Sequence, residues 1–192
     1  MRITALLILV LLVFTEGHGQ KIFLNNPSFE GDPQDATVPI GWHGCEPGTT
    51  PDILPGPWGV YTEPSDGETF MGLITRDNGT WESVGQRLKS TLNPPECYSF
   101  TIDLAHSGTY ANYNQSIKLR IWGGETACSK DQLLLETPLI DHSDWKTYEV
   151  RFTPEKPVRF LIFEAFFSEK RFSRRGNVLI DNMSPIKQCP RV

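Results

Sequence analysis

The chain lacks the sequence patterns that usually accompany enzymatic catalysis. It contains no G-x-S-x-G nucleophile elbow, no H-E-x-x-H metal motif and no glycine-rich phosphate loop. Histidine is scarce, and beyond the first twenty residues only His43, His106 and His142 remain. The neighbouring pairs His106–Ser107 and Asp141–His142 do not imply a catalytic triad, because a triad is a spatial arrangement. We therefore expect a protein that is not an enzyme.

An excess of basic residues is also missing. The net charge is -5 and the sequence pI is about 5.4. Nucleic-acid binding needs clustered cations that face phosphates, so nucleic acid is not an expected partner. One local basic run, "EKRFSRR" at 169–175, indicates a solvated loop, with contact to an anionic polysaccharide or lipid headgroup as the alternative.

A hydrophobic run occurs at the N-terminus and is short. Ala5–Phe14 is apolar over about ten residues, which is too few to span a bilayer as a helix. The run follows a basic residue and precedes the small residues Gly17 and Gly19, as in a cleavable secretory leader. An uncleaved membrane anchor is the alternative, but no stop-transfer pattern follows. We predict a signal peptide at 1–19, one domain at 20–192, and a secreted, periplasmic or cell-envelope location.

The cysteines show no C-x-x-C spacing, so neither a zinc site nor a thioredoxin-type site is expected. An even number of cysteines in an exported chain favours two disulfides. The four residues are Cys45, Cys97, Cys128 and Cys189. Three pairings are possible, and a hairpin centred near Ala111 favours Cys97–Cys128 together with Cys45–Cys189.

Long helical patterns are absent as well. The segment from Gly31 to Gly67 is dense in proline and glycine, which indicates turns and ordered loops. Short segments with apolar residues at every second position follow it, and each is typical of a strand. The predicted strands are 21–26, 69–75, 81–88, 97–105, 116–122, 145–152, 158–167 and 177–183. About eight short strands predict an all-β fold, a two-sheet antiparallel jelly-roll sandwich with long Pro/Gly-rich loops. The helical alternative is "SKDQLLLE" at 129–136, which has the length of one or two turns.

The same alternation assigns side chains to the two faces of each strand. In 97–105 the residues Phe100, Ile102 and Leu104 point one way, and Asp103 points the other. On neighbouring strands Arg120 and Glu164 would share a polar outer face with Asp103. This face is interpreted either as a groove that grips hydroxyl groups or as a solvated ladder of charges, in which each cross-strand pair contributes about 0.2 to 1 kcal/mol.

A set of short motifs, taken in chain order, resembles a known family. The motifs are "NPSFEG" at 26–31, "GW" at 41–42, "DGETFMGL" at 66–73, "VGQRL" at 84–88, "CYSFTIDLA" at 97–105, "WKTYEVRF" at 145–152 and "NVLIDN" at 177–182. In this order they resemble the galactose-binding-domain-like jelly rolls, which include many carbohydrate-binding modules and domains of bacterial envelope proteins. The resemblance covers nearly all of the chain after the leader.

The resemblance implies a structural calcium ion where the N-terminal segment meets the last strand. The matching residues are Glu30 and Asp181, with Asp66 as a third candidate. Calcium takes six to eight oxygen ligands, so two or three carboxylates would need help from backbone carbonyls or water. The alternatives are a solvated carboxylate for Glu30 and a turn or strand-end hydrogen bond for Asp181.

Family members that bind sugars use aromatic rings, whose faces cover the C–H faces of a pyranose. The candidate ligand-binding residues here are Trp58, Tyr61, Tyr110, Tyr113, Arg120 and Trp122. Tyr110 and Tyr113 lie in a turn that we expect to be exposed, whereas Trp58 has the alternative of pinning its loop to the sandwich. Trp42, Trp81 and Trp145 belong to strand-like patterns and are expected in the core.

The predicted function is that of an exported, non-catalytic carbohydrate-binding-like module that recognises glycans or cell-envelope ligands. The alternative is a structural or assembly protein of the cell envelope that binds another protein. A third hypothesis is a glycoside-active enzyme that uses Asp103 and Glu164, but no sequence motif marks these two residues as a catalytic pair.

Overall fold

The computed structural model describes residues 21–167 and 174–190. The predicted leader at 1–19 and most of the basic run at 169–175 lie outside these residues. Twelve strands form in the described part of the chain: β1 His43–Gly44, β2 Asp52–Leu54, β3 Phe70–Thr75, β4 Ser83–Leu92, β5 Tyr98–Ala105, β6 Gln115–Ser116, β7 Lys118–Gly124, β8 Gln132–Glu136, β9 Lys146–Phe152, β10 Val158–Phe166, β11 Gly176–Asp181 and β12 Lys187–Gln188. Within this part a single 3-10 turn occurs, at Pro57–Gly59, and no helix is long and apolar enough to cross a membrane.

The strands form two sheets that pack face to face. One sheet has five strands in the order β1-β4-β10-β7-β8, and all of its pairs are antiparallel. The other has seven strands: β12-β5-β11-β3-β2 form its main path, β9 pairs with β5, and the short β6 runs parallel to β11. The predicted all-β, two-sheet sandwich is therefore confirmed.

Three sequence-based expectations about the strands are wrong. The segment 97–105 forms β5 and 116–122 forms most of β7, but these strands lie in different sheets and are not hairpin neighbours. The possible helix at 129–136 is strand β8, because Leu135 and its neighbours complete the ladder beside β7. The segment 21–26 is not a strand and forms one bridge, between Ile22 and Ile186.

The main core fills the space between the two sheets. Phe100, Ile102 and Leu104 of β5 face it, as the alternation predicts. The motif that begins at Asn26 contributes Phe29, whose ring lies 5.0 Å from the ring of Trp42, which in turn lies 5.2 Å from Phe163. Burial of three such aromatic side chains supplies a large share of the hydrophobic stabilisation at this end of the sandwich.

A second, smaller core lies on the outer face of the seven-stranded sheet. It contains Leu54, Val60, Phe70, Ile74, Ala105, Tyr110 and Leu179, with Tyr113 and Trp145 packed against it. Since successive strand residues alternate, Phe70 and Ile74 face this core while Met71 and Leu73 face the main one. Strands β3 and β11 are thus buried on both faces, and the Pro/Gly-rich segment covers the outer one.

The two ends of the described chain meet, as the resemblance implies. Ile22 and Ile186 exchange backbone hydrogen bonds of 2.9 Å, and Met183 N–H donates to the carbonyl of Pro27 at 3.0 Å. The disulfides are Cys97–Cys189 and Cys45–Cys128. Two disulfides were expected, but the favoured pairing was wrong because it assumed the hairpin that β5 and β7 do not form.

A buried carboxylate, Glu82, forms an ion pair with Arg76 after β3 and hydrogen bonds to Thr50 before β2, and so links both segments to the start of β4. The Glu82 carboxylate accepts hydrogen bonds from Arg76 Nη2 at 2.6 Å, from Thr50 N–H at 3.1 Å and from Ile74 N–H at 3.0 Å. Burial nevertheless raises the pKa of Glu82 to about 7 from an ordinary value of 4.5. The folded state consequently holds a proton on Glu82 at pH values where the unfolded chain has released it.

We predict that the free energy of unfolding falls as pH rises from about 4.5 to about 7, because the folded state binds more protons in this window. The Glu82 contribution is at most about 3 kcal/mol, at 1.36 kcal/mol per pKa unit. The measurement is urea unfolding across this range. Glu82→Gln should flatten the slope, whereas Glu96→Gln, at an exposed site, should leave it unchanged; an identical slope in Glu82→Gln would contradict the assignment.

Candidate functional site

The six predicted ligand-binding residues fall into two groups on opposite sides of the sandwich. One group lies over the outer face of the seven-stranded sheet and consists of Trp58, Tyr61, Tyr110 and Tyr113. The other lies on β7, on the outer face of the five-stranded sheet, and consists of Arg120 and Trp122. They cannot form one continuous site.

Trp58 and Tyr61 are exposed on the Pro/Gly-rich segment, with 47% and 76% of their surface accessible to solvent. Trp58 occupies the 3-10 turn in a left-handed conformation, with φ of 55°. Its backbone carbonyl accepts a hydrogen bond from Ala111 N–H at 3.0 Å, and the carbonyl of Gly59 accepts one from Thr109 Oγ1 at 2.8 Å. The turn that displays Trp58 is therefore held by a second loop rather than hanging free.

A buried carboxylate fixes the indole ring itself. Asp52, on β2, is only 2% exposed and accepts hydrogen bonds from Trp58 Nε1 at 3.3 Å and from the backbone N–H of Ala36 at 2.8 Å. It also accepts a hydrogen bond from the hydroxyl of Tyr110. Burial raises the pKa of Asp52 above its usual range. One side chain thus joins three loops around the exposed tryptophan.

An open cleft of about 460 Å³ lies beside Trp58, lined by Pro33, Gln34, Asp35, Pro57 and Trp58. Gln34 is held in place because its backbone exchanges two hydrogen bonds of 2.9 Å with Ile53. The cleft combines an aromatic face with an amide and a carboxylate, which are the groups that stack on a sugar ring and bind its hydroxyls.

Tyr110 and Tyr113 do not line this cleft. Tyr110 is 1% exposed and lies in the second core, so the expectation of an exposed tyrosine there is wrong. Its hydroxyl can be buried because it donates a hydrogen bond to Asp52. Tyr113 is partly buried, with its ring 6.4 Å from that of Tyr110.

Arg120 and Trp122 are engaged within the protein. Arg120 is ion-paired with Glu136 at 2.7 Å, and its guanidinium lies 3.1 Å above the ring of Phe166. Trp122 Nε1 donates to Glu164 at 3.2 Å, and Glu164 is buried. Arg120 and Glu164 are cross-strand neighbours as expected, whereas Asp103 lies in the other sheet. These contacts favour the interpretation of this face as a charge ladder over that of a groove.

Acidic residues gather around the loop at 65–69, where the calcium ion was predicted. Asp181 accepts hydrogen bonds from Ser65 N–H at 2.8 Å and Asp66 N–H at 3.0 Å, while Glu30 accepts one from Glu68 N–H at 3.1 Å. Burial raises the pKa of Asp181 to about 6. Asp103 is the direct cross-strand partner of Asp181, so two carboxylates oppose each other here.

The three predicted ligands do not form a three-carboxylate cage. In the described residues, the one group of three His, Cys, Asp or Glu side chains with ligand atoms all within 4.8 Å is His43, Cys45 and Cys128. Glu30 and Asp181 instead contact the 65–69 loop from outside it, while Asp66 belongs to the loop and accepts a hydrogen bond from Ser28 Oγ at 2.7 Å. A calcium ion at this place would draw on two carboxylates together with backbone carbonyls.

Sequence reasoning missed Asp52, Gln34 and Asp35. The sequence does contain an indication for Asp52, which lies between Pro51 and Ile53 in a short apolar stretch. An acid in such a stretch is a candidate for burial, and a buried carboxylate requires hydrogen-bond donors. Gln34 and Asp35 carried none, since polar residues in a Pro/Gly-rich loop are the ordinary case.

Comparison with known proteins supports the fold and not a particular activity. No family model and no curated protein matches the sequence. Among solved structures, a Stig cyclase from Fischerella sp. TAU has 17% identity and a TM-score of 0.59, over 91% of this chain and 100% of that one. The CBM22-1 xylan-binding domain of Paenibacillus barcinonensis Xyn10C has 14% identity and a TM-score of 0.52, over 91% and 97%. The K3 cleaved adhesin domain of Lys-gingipain from Porphyromonas gingivalis has 16% identity and a TM-score of 0.55, over 86% and 99%.

We predict that Asp52→Ala loosens the cleft, because it removes the acceptor of both the Trp58 indole and Ala36 N–H. The indole N–H of Trp58 should exchange with solvent faster, and stability should fall by about 1 to 3 kcal/mol because the buried hydroxyl of Tyr110 also loses its acceptor. The measurement is hydrogen exchange of the tryptophan indole signals by NMR, with the Trp58 signal identified from Trp58→Phe.

Tyr110→Phe is the matched control, because it removes a different donor to the same carboxylate and leaves the bonds to Trp58 and Ala36 intact. Its Trp58 exchange rate should stay near that of the wild type. Equal exchange of Trp58 in the wild type and in Asp52→Ala would show that Asp52 does not hold the ring.

The two-sheet architecture and these structural neighbours together show that the fold is a jelly-roll sandwich.

Proposed function

We propose that the chain is an exported, non-catalytic module that binds glycans, with the Trp58 cleft as its binding surface. The observation that carries the proposal is an exposed tryptophan held by both its backbone and its indole nitrogen, beside a cleft with polar walls. Pre-ordering of the ring matters because affinity is lost when a flexible side chain must be immobilised on binding. A xylan-binding domain of the same fold is consistent with this use of the scaffold.

The geometry of the acidic residues supports a non-catalytic role. Asp103 and Glu164, the pair considered for glycoside hydrolysis, lie in different sheets, on β5 and β10. The Asp103 carboxylate is engaged by Ser65 Oγ at 2.6 Å and Thr147 Oγ1 at 2.6 Å, and Glu164 by Lys130 and Trp122. Their sequence neighbours Ile102 and Phe163 face the core between the sheets, so the two carboxylates point outward on opposite faces of the sandwich, whereas a glycosidase pair flanks one cleft at about 5 to 9.5 Å.

The proposal is tested by screening the protein on a glycan array and then titrating a bound sugar into variants. Trp58→Ala should weaken binding at least tenfold, because loss of a central aromatic contact costs about 2 kcal/mol or more. The melting temperature should stay near that of the wild type, since the ring is half exposed.

Leu133→Ala is the control, because it removes an exposed apolar side chain on the other sheet. Sugar binding that survives Trp58→Ala would place the site elsewhere. No binding to any glycan by the wild type, with a co-purifying envelope protein, would favour an assembly role instead.

The proposal includes a structural calcium ion held by Glu30 and Asp181 with backbone carbonyls of the 65–69 loop. Both carboxylates contact this loop from different parts of the chain. None of the ion pairs in the described residues involves Glu30, Asp66, Asp103 or Asp181, so a cation would offset an uncompensated negative charge. Oxygen ligands of this kind suit calcium.

We predict that calcium at about 100 times its Kd adds about 2.7 kcal/mol of stability, a rise in melting temperature of roughly 5 to 10 °C relative to EDTA. Glu30→Gln should abolish the rise. Glu68→Gln, which changes an exposed acid on the same loop, should keep it. A melting temperature that is the same in calcium and in EDTA would overturn the calcium proposal and leave the glycan proposal standing.

A further inference from the structure

One corner of the five-stranded sheet brings a histidine next to a disulfide. His43 lies on β1, Cys45 follows β1 directly, and Cys128 lies in the loop between β7 and β8. One ligand atom from each of the three residues lies within 4.8 Å of the other two. β1 is fixed in place because it pairs with β4, with His43 opposite Gly85, and because Cys45 N–H donates to the carbonyl of Ser83 at 2.7 Å.

The imidazole of His43 has a nitrogen without a partner. Its Nε2 atom is buried and makes no hydrogen bond within the described part of the chain. A buried nitrogen without a partner is costly, and a bound ion is one arrangement that satisfies it. The ring packs edge-on against Phe160, with centroids 6.2 Å apart, so its plane is held.

Gly85 leaves the space that this arrangement needs. A β-carbon at this position would lie 2.9 Å from the sulfur of Cys45 and 3.2 Å from His43 Nε2. Any larger residue on β4 would push the imidazole and the sulfur apart. The imidazole of His43 and the sulfur of Cys45 therefore lie on the same side of β4, next to Gly85.

We propose that reduction of the Cys45–Cys128 disulfide converts this corner into a binding site for a thiophilic divalent cation such as Zn²⁺, with His43 Nε2 and the two sulfurs as ligands. The disulfide takes up two electrons and two protons from a thiol or dithiol reductant, which is oxidised to its own disulfide. The metal then displaces the two thiol protons, because the thiolate is the ligand. A tetrahedral zinc ion holds sulfur at about 2.3 Å and nitrogen at about 2.0 to 2.1 Å, and a water molecule takes the fourth position.

The bound cation would link the same two loops that the Cys45–Cys128 disulfide links. Cys45 precedes Glu46 and Cys128 lies two residues before Lys130, and Lys130 Nζ contacts Glu46 at 2.6 Å. Lys130 also contacts Glu164, which the two loops cover. A metal that joins the same two loops keeps this charge pairing closed in a reducing environment, where the disulfide would open.

The experiment is a Co²⁺ titration of the full chain before and after reduction with a phosphine, followed by competition with Zn²⁺. Reduced wild-type protein should develop a thiolate-to-cobalt charge-transfer band and intense visible ligand-field bands that saturate at one equivalent of Co²⁺. The oxidised protein should show neither set of bands. His43→Gln should bind at least tenfold more weakly and change the ligand-field bands. The double variant Cys45→Ser/Cys128→Ser should give no thiolate band.

Three results would overturn the proposal. They are an identical titration of reduced wild type and His43→Gln, a thiolate band that persists in Cys45→Ser/Cys128→Ser and so comes from Cys97 and Cys189, or no band in the reduced wild type. If reduction alone unfolds the chain, Zn²⁺ must restore cooperative melting to the wild type and not to His43→Gln. Failure to restore it also counts against the site.

Discussion

Strands β3 and β11 carry apolar side chains on both faces, and the need to bury both faces determines how the loops pack on the sandwich. β3 and β11 lie next to each other in the seven-stranded sheet, and every residue in them is buried. The inner face is covered by the opposite sheet, but within residues 21–167 and 174–190 no third sheet covers the outer face. The Pro/Gly-rich segment and the loop that carries Tyr110 have to supply that cover, because exposed Phe70, Ile74 and Leu179 would cost about 1.5 to 3 kcal/mol each. The same packing that hides these residues turns Trp58 outward.

Buried and half-buried carboxylates are the means by which irregular loops are fastened to this sandwich. Asp52, Glu82 and Asp181 each accept hydrogen bonds from backbone amides that belong to segments distant in the chain. Loops rich in proline and glycine lack the regular backbone hydrogen bonds of a sheet, so their amides need acceptors elsewhere. In each case burial raises the pKa of the carboxyl group, which is the consequence of placing an acid under a loop rather than in solvent. The loops are consequently ordered without regular secondary structure.

The sequence predicted the parts of the fold that follow from local periodicity. Seven of the eight predicted strands form, and the inward residues of β5 are those that the alternation selects. Strand neighbours were not predictable in this way, since period-two patterns assign faces and carry no information on which sheet a strand joins. The disulfide pairing failed for the same reason. The burial of Tyr110 depended on a partner 58 residues away, which a local pattern of turn residues cannot reveal.

The candidate site was predicted in part. An aromatic residue between Pro57 and Gly59 was visible as a loop tryptophan, and it is exposed. Its neighbours in the cleft come from residues 33–35, which only tertiary packing brings near it. Arg120 and Trp122 were assigned to the outer face correctly, but their partners Glu136 and Glu164 occupy the polar groups that a ligand would need.

The two covalent bridges overlap along the chain, because Cys97 lies between Cys45 and Cys128, and Cys128 lies between Cys97 and Cys189. A proteolytic cut at the exposed residues Gly108 or Thr109 would separate a fragment with Cys45 and Cys97 from one with Cys128 and Cys189. Both bridges would then run between the fragments. A nicked molecule would stay in one piece until both bridges are reduced, so its migration would change only on a reducing gel.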